Sequence, residues 1–189
     1  MLGSRAQDNS GALTWANGHT GALTGTFAQA VEFGELVVLC VKGLIVEEVI
    51  ALAGVQRFTG KTVVDTTNPL ANSLPARGVL PYTTGPNESL GERIQNFLPG
   101  AHIVKAFNSV GNNVMIDPHY EQGPPTMFFC GDNTEAKAQV AAILRQFGWE
   151  PFDCGGIVAS RAIEPLCMLW CIPGFLENQW THAFKLLTR

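Results

Sequence analysis

Charge is scarce in this 189-residue chain. Asp, Glu, Lys and Arg make up 15% of it, against 46% hydrophobic residues. That balance excludes a disordered chain and predicts a sizeable buried core. There is no Lys/Arg block and the net charge is −4, which disfavours nucleic acid as the main partner. No cationic region followed by an apolar run stands near Met1. The most apolar late stretch, Ala162 to Ile172, reads as too short for a bilayer and stops at Pro173. The expectation is a soluble, cytoplasmic protein with no membrane partner.

Other absences narrow the chemistry. The five cysteines (Cys40, Cys130, Cys154, Cys167, Cys171) form no C-x-x-C. Most sit near apolar runs, so buried free thiols are expected rather than disulfides or metal ligands. His19, His102, His119 and His182 are scattered, and none has metal-ligand spacing with a Cys or carboxylate. No G-x-S-x-G and no phosphate loop ending in G-K-[ST] occurs. No Ser-His-Asp or Cys-His set stands out, and neither a catalytic acid or base nor a metal site is assigned.

What is present is a repeating pattern. Four short, nearly continuous apolar runs occur: "LVVLCV" (36–41), "TVVDTT" (62–67), "HIVKAFN" (102–108) and "TMFFCG" (126–131). Continuous runs are how strands read when both sheet faces are covered, as in a parallel sheet. Helical patterns lie between them. "VEEVIALAG" ends at Gly54, "ESLGERIQNFLPG" ends at Pro99-Gly100, and "TEAKAQVAAILRQFGW" places Val140, Ile143, Leu144 and Phe147 on one face. Asp132, three residues before Glu135, reads as the N-cap of the last. The region 6–26 predicts one short helix and a short edge strand. The tail from Ala159 to Leu187 predicts two helices broken at Pro173-Gly174, with Leu169 and Trp170 on one apolar face and Leu176 and Trp180 on another. Alternating strands and helices make this an α/β chain with a doubly wound sheet. The division expected is a nucleotide-binding domain over 1–157 and a helical segment over 158–189, packed on that domain or on a dimer partner.

The first residues, "MLGSR", look like a strand tip. In a dinucleotide-binding fold the second strand ends beside the adenosine ribose, where an Arg helped by a hydroxyl accommodates a 2′-phosphate and so favours NADP. Ser4 and Arg5 fit that role. Ligands in such sheets sit outside the carboxyl ends of the strands. Val41-Lys42-Gly43, Thr67-Asn68-Pro69 and Phe107-Asn108-Ser109 occupy three such ends. Ser160-Arg161 near Glu164 reads as a local pair at a helix start.

The order "LGSR…LVVLCVKG…TVVDTTNPL…LPGAHIVKAFNSVG…MFFCGD…SRAIEPLCMLW" resembles NADP-dependent oxidoreductases of the deazaflavin family, and is similar to the reductase domains of six-transmembrane ferric reductases. The resemblance runs over nearly the whole chain. It implies a Rossmann-like doubly wound parallel sheet with C-terminal helices. It also implies NADP as cofactor, a deazaflavin, flavin or ferric-type acceptor as second substrate, and a homodimer through the C-terminal helices. Val41, Lys42, Gly43, Asn68, Pro69, Ala106, Phe107 and Asn108 would line the nicotinamide half of the groove, with Gly43 letting a ring approach the main chain. Family members often carry Pro where Lys42 stands. The family begins with a strand and a G-x-G-x-x-G-like turn that this chain does not show. A first βα unit of about 25 to 30 residues is therefore expected to be missing, leaving an unpaired strand edge. The alternatives are an NADP-binding module without turnover and an inactive truncated domain.

Overall fold

A computed structural model describes residues 1–188. The chain runs β1 (Leu2–Ser4), α1 (Ser10–Asn17), β2 (Thr24–Thr26), α2 (Phe27–Phe33), β3 (Leu36–Leu39), α3 (Val46–Ala53), β4 (Thr62–Asp65), α4 (Leu90–Phe97), β5 (His102–Lys105), β6 (Thr126–Gly131), α5 (Thr134–Gln146), β7 (Glu150–Asp153) and α6 (Ser160–Glu177). The four apolar runs each supply one strand, and region 6–26 holds the expected helix and edge strand.

The strands form a five-stranded sheet, β3-β4-β5-β6-β7, and a separate pair, β1-β2. Successive residues explain the continuous apolar runs. Val63 and Ile103 enter one buried cluster with Val46, Ile50 and Ile94, while Val64 and Val104 enter another with Val140 and Leu144. Side chains alternate across a strand, so a strand covered on both faces is apolar at every position. The expected all-parallel sheet needs one correction. β6 runs antiparallel to β5, through Val104–Gly131 and Lys105–Cys130. Both faces of β6 are covered too, so its composition carries no sign of its direction.

The two sheets do not share a hydrogen bond. Leu2 N–H donates to Leu23 O at 2.7 Å and Leu39 O accepts from Thr66 N–H at 3.2 Å. Backbone groups of successive residues point to opposite sides of a strand. The peptide groups of Gly3 and Val38 therefore face inward, across an apolar slot of about 320 Å³ lined by β1, α2 and β3.

Caps follow local chemistry. Ser89 caps α4 by accepting from Glu92 N–H, and Thr26 and Gln29 form a capping box on α2. At α5 the cap is Asn133, not Asp132. Asp132 instead accepts from Ile157 N–H at 2.8 Å, tying the end of β6 to the approach to α6.

The C-terminal region holds one helix rather than two. α6 passes through Pro165 and Pro173 and ends at Asn178 in the left-handed conformation (φ 57°). Gly174 seats a ring instead of breaking the helix, since a Cβ there would lie 2.3 Å from Trp180. Residues 178–188 then run without regular structure, and Thr126 N–H donates to Phe184 O at 2.8 Å. Arg189, the last residue of the expected tail segment, lies outside the described residues. By length and composition Ile157–Glu177 is apolar and long enough to cross a membrane, more than was expected of Ala162 to Ile172. Of its most apolar window, 44% is buried inside the protein.

Candidate functional site

The ends of β3 and β4 turn toward one another. After Leu39 the chain passes Val41 and Lys42 into a 3-10 turn at Gly43–Ile45, which leads into α3. After Asp65 it passes Thr66 and Thr67 to Asn68. A Cβ on Gly43 would lie 2.0 Å from Asn68 O. Gly43 is thus required by the closeness of the Asn68 carbonyl. The two turns border an open cavity of about 370 Å³, lined by Val41, Lys42, Gly43, Thr66, Thr67 and Asn68, with Leu70 to Ser73 and Leu80 closing it.

Asn68 is clasped from β5. Its Nδ2 donates to Asn108 O at 2.8 Å. The Asn108 Nδ2 donates to Asn68 Oδ1 and to Ile163 O, both at 3.1 Å. Phe107 makes this possible by adopting φ 60°, a costly conformation for a bulky side chain that recurs at functional sites. Asn108 Oδ1 is buried and has no hydrogen-bond partner.

Behind the clasp lies a buried charge cluster. Lys105 Nζ sits 2.6 Å from Asp65 Oδ2 and 3.0 Å from Glu164 Oε1, and no side chain of the three is more than 2% exposed. Lys105 also donates to Thr67 O at 2.8 Å. Asp65 Oδ1 accepts from Thr67 N–H at 2.8 Å and from its hydroxyl at 2.7 Å. Glu164 accepts from Leu90 and Gly91 N–H at 3.0 and 2.8 Å, closing the N-terminus of α4. Burial alone would lower the Lys105 pKa, but the two carboxylates more than offset it and hold it above the ordinary value.

The expected site residues divide into three sets. Val41, Lys42, Gly43 and Asn68 meet at one cavity. Ala106, Phe107 and Asn108 are buried behind it and act as support rather than lining, while Pro69 is absent from the cavity wall. Ser4 and Arg5 stand apart. Ser4 Oγ donates to Ala6 O, and the half-exposed Arg5 guanidinium lies 3.6 Å from Glu48 on α3. Arg161 does not pair with Glu164. It makes two hydrogen bonds to Glu92, at 2.8 and 2.6 Å. Cys40 is exposed, against the expectation of a buried thiol, whereas Cys130 and Cys167 are buried.

Asp65, Lys105 and Glu164 escaped the reading of the sequence. Their signal was a charge inside an apolar run: Asp in "TVVDTT", Lys in "HIVKAFN", Glu in "RAIEPLCML". A charge in a segment covered on both faces demands a partner.

The cavity suits the nicotinamide end of a dinucleotide. It lies at the carboxyl ends of parallel strands, between the turns Val41–Gly43 and Thr66–Asn68 that border it. Residues 1–188 contain no glycine-rich turn joining a strand to a helix, so the described residues supply no cradle for the pyrophosphate.

Comparisons with known proteins point the same way. Residues 1–69 match the family model described as NADP oxidoreductase, coenzyme F420-dependent. An F420-dependent NADP reductase of Methanocaldococcus jannaschii is 32% identical over 118 residues, which is 60% of this chain and 51% of that protein. The metalloreductase STEAP3 of Rattus norvegicus is 28% identical over 64% of this chain and 23% of its own length. The chain thus spans about half or less of these curated relatives. The crystal structure of a putative F420-dependent NADP reductase from an Arthrobacter species superimposes with a TM-score of 0.90 at 28% identity. That alignment covers 98% of this chain and 87% of the other. The family model, the archaeal reductase and the solved structure support one family.

Proposed function

We propose that this chain, of the coenzyme F420-dependent NADP oxidoreductase family, binds NADP(H) along the carboxyl ends of its parallel strands. There it passes a hydride between the nicotinamide and a planar acceptor of the deazaflavin or flavin class. The observation that carries this reading is the convergence of Val41–Gly43 and Thr66–Asn68 on one open cavity, with the Asn68–Asn108 clasp at its back. NADPH, when bound, supplies the hydride. The protein's part is to hold and orient: hydride transfer between rings needs stacking distance and alignment more than an acid or base. Asn68, on the cavity wall and held from behind by Asn108, offers a polar group to a carboxamide. Lys42, at the cavity edge, offers a cation to an anionic acceptor.

Arg5 is assigned the 2′-phosphate. Its contact with Glu48 is solvent-exposed at both partners, and exposed pairs contribute little, so a phosphate can replace the carboxylate. The reading extends to a homodimer through α6, where Leu169 and Leu176 are 54% and 60% exposed, and to a cytoplasmic location.

Calorimetric titration with NADPH and NADH tests the assignment. A charge-assisted contact to the phosphate predicts about tenfold or greater preference for NADPH, lost in Arg5→Ala. Equal affinities in the unaltered chain would refute the role of Arg5. Binding of both nucleotides without reduction of any deazaflavin, flavin or ferric chelate would favour a module without turnover.

A further inference from the structure

The cluster Lys105–Asp65–Glu164 joins one cation to two carboxylates, all at most 2% exposed. With each group ionised it carries one net negative charge. Buried ion clusters are poor devices for stability, because desolvation offsets most of the attraction and well-packed apolar replacements are often as stable. The placement of this one is more informative. Lys105 holds the Thr67 carbonyl, and Asp65 holds the Thr67 amide and hydroxyl. Thr67 and Asn68 are cavity wall. The backbone of Glu164 accepts from Tyr82, and its neighbour Ile163 accepts from Asn108. The cluster is thus wired to the cavity from two sides.

We infer that this buried negative charge biases the redox state of the nicotinamide, favouring the oxidised cation over the neutral reduced ring. The inference rests on the reading of the cavity as the nicotinamide site. Loss of a hydride, one proton with two electrons, from ring C4 to a planar acceptor breaks a C–H bond and forms one on the acceptor. The ring it leaves gains one positive charge. A fixed negative charge behind the wall lowers the energy of that cation and does little for the neutral ring. Low local dielectric strengthens the effect, and salt screens it weakly. Asp65, Lys105 and Glu164 are positioning residues, acting through Thr67 and Asn68 and through the field they set.

The test compares dissociation constants for NADP+ and NADPH by calorimetry in the unaltered chain, in Asp65→Asn and in Glu164→Gln. Each substitution brings the cluster from net −1 to neutral; Asp65→Asn keeps an acceptor oxygen for both Thr67 donors, and Glu164→Gln keeps one for only one of the Leu90 and Gly91 amides. The expected result is that NADP+ binding weakens relative to NADPH by about tenfold in both variants, with melting curves still cooperative. A ratio unchanged in both, with binding intact, overturns the inference and leaves the site assignment standing. Equal weakening of both nucleotides overturns it as well, since a purely structural role does that. Loss of fold in both variants assigns the cluster to stability and overturns the inference. Failure of the unaltered chain to bind either nucleotide removes the site assignment and the inference together.

Discussion

Substituting Gly43 by alanine tests the geometry of the cavity most directly. The added Cβ would lie 2.0 Å from Asn68 O, 2.7 Å from Leu90 Cδ2 and 2.8 Å from Asn68 C. Two of these neighbours are backbone and cannot swing aside. The turn after β3 must move away from the turn after β4, or Asn68 must leave the clasp with Asn108. Overpacking of this kind costs about 1–3 kcal/mol. In a domain of this size each kcal/mol moves Tm by roughly 2–4 °C, so a drop of about 2–12 °C is expected. Misplacing a positioning group by about 1 Å can cost on the order of a hundredfold in rate, and NADPH affinity should fall with stability. Thermal melting by circular dichroism and NADPH titration read the two effects. Gly85→Ala serves as control, because a Cβ there meets nothing within 4 Å. A Gly43→Ala protein that melts within a degree of the parent and binds NADPH equally well would refute the claim that these turns are locked together.

Two other perturbations bear on the fold. Val38 is 48% exposed on β3 and its peptide group faces the slot, so Val38→Lys places a charge on an unpaired edge. Such edges template association. Concentration-dependent light scattering should fall in this variant while Tm changes little, and unchanged scattering would mean the edge is not the adhesive surface. At the α4–α6 contact, hydrogen bonding from Arg161 holds the Glu92 carboxyl below its usual value of 4.5, against a smaller opposing effect of burial. A carboxyl depressed in the folded state contributes stability that is present above its unfolded pKa. That stability is lost as pH falls through the lower folded value. Arg161→Ala should raise the Glu92 midpoint, read by carbon-detected NMR titration, and shrink that acid window. A midpoint that stays put would show that Ser89 alone holds it.

Much of the fold could be read from composition along the chain. "TMFFCG" became β6 with its limits intact, and "VEEVIALAG" stopped at Gly54 because no side chain suits the φ of 90° there. Features decided by distant residues were hidden. The antiparallel β6 is invisible because a strand buried on both faces reads alike in either direction. The continuity of α6 depends on Trp180 folding back onto Gly174 from outside the helix. The choice of Asn133 over Asp132 as cap depends on Ile157, 25 residues further on, which claims Asp132.

The site was legible to a similar depth. Strand ends locate the cavity, and Val41, Lys42, Gly43 and Asn68, expected at such ends, line it. Local sequence does not say which residue stands in front and which behind. Asn108, next to Phe107 at φ 60°, is buried and absent from the cavity wall. Asp65, Lys105 and Glu164 lie far apart in sequence and meet only after three elements pack. Arg161 found Glu92 rather than Glu164, since Glu164 was already committed to Lys105 and two backbone amides.

The break between β1-β2 and the five-stranded sheet also bears on how the chain comes apart. No backbone ladder crosses it, and residues 1–26 are held mainly by α2, which packs on β1 and on α3. Cooperativity in unfolding travels through such ladders and through packed cores. Here the N-terminal unit, with its three-residue strands, can open on its own while the larger sheet stays closed. Amide exchange over Leu2–Ser4 and Thr24–Thr26 would then run through a local opening, and Arg5, proposed to hold the 2′-phosphate, would come and go on a faster clock than the cavity at Asn68.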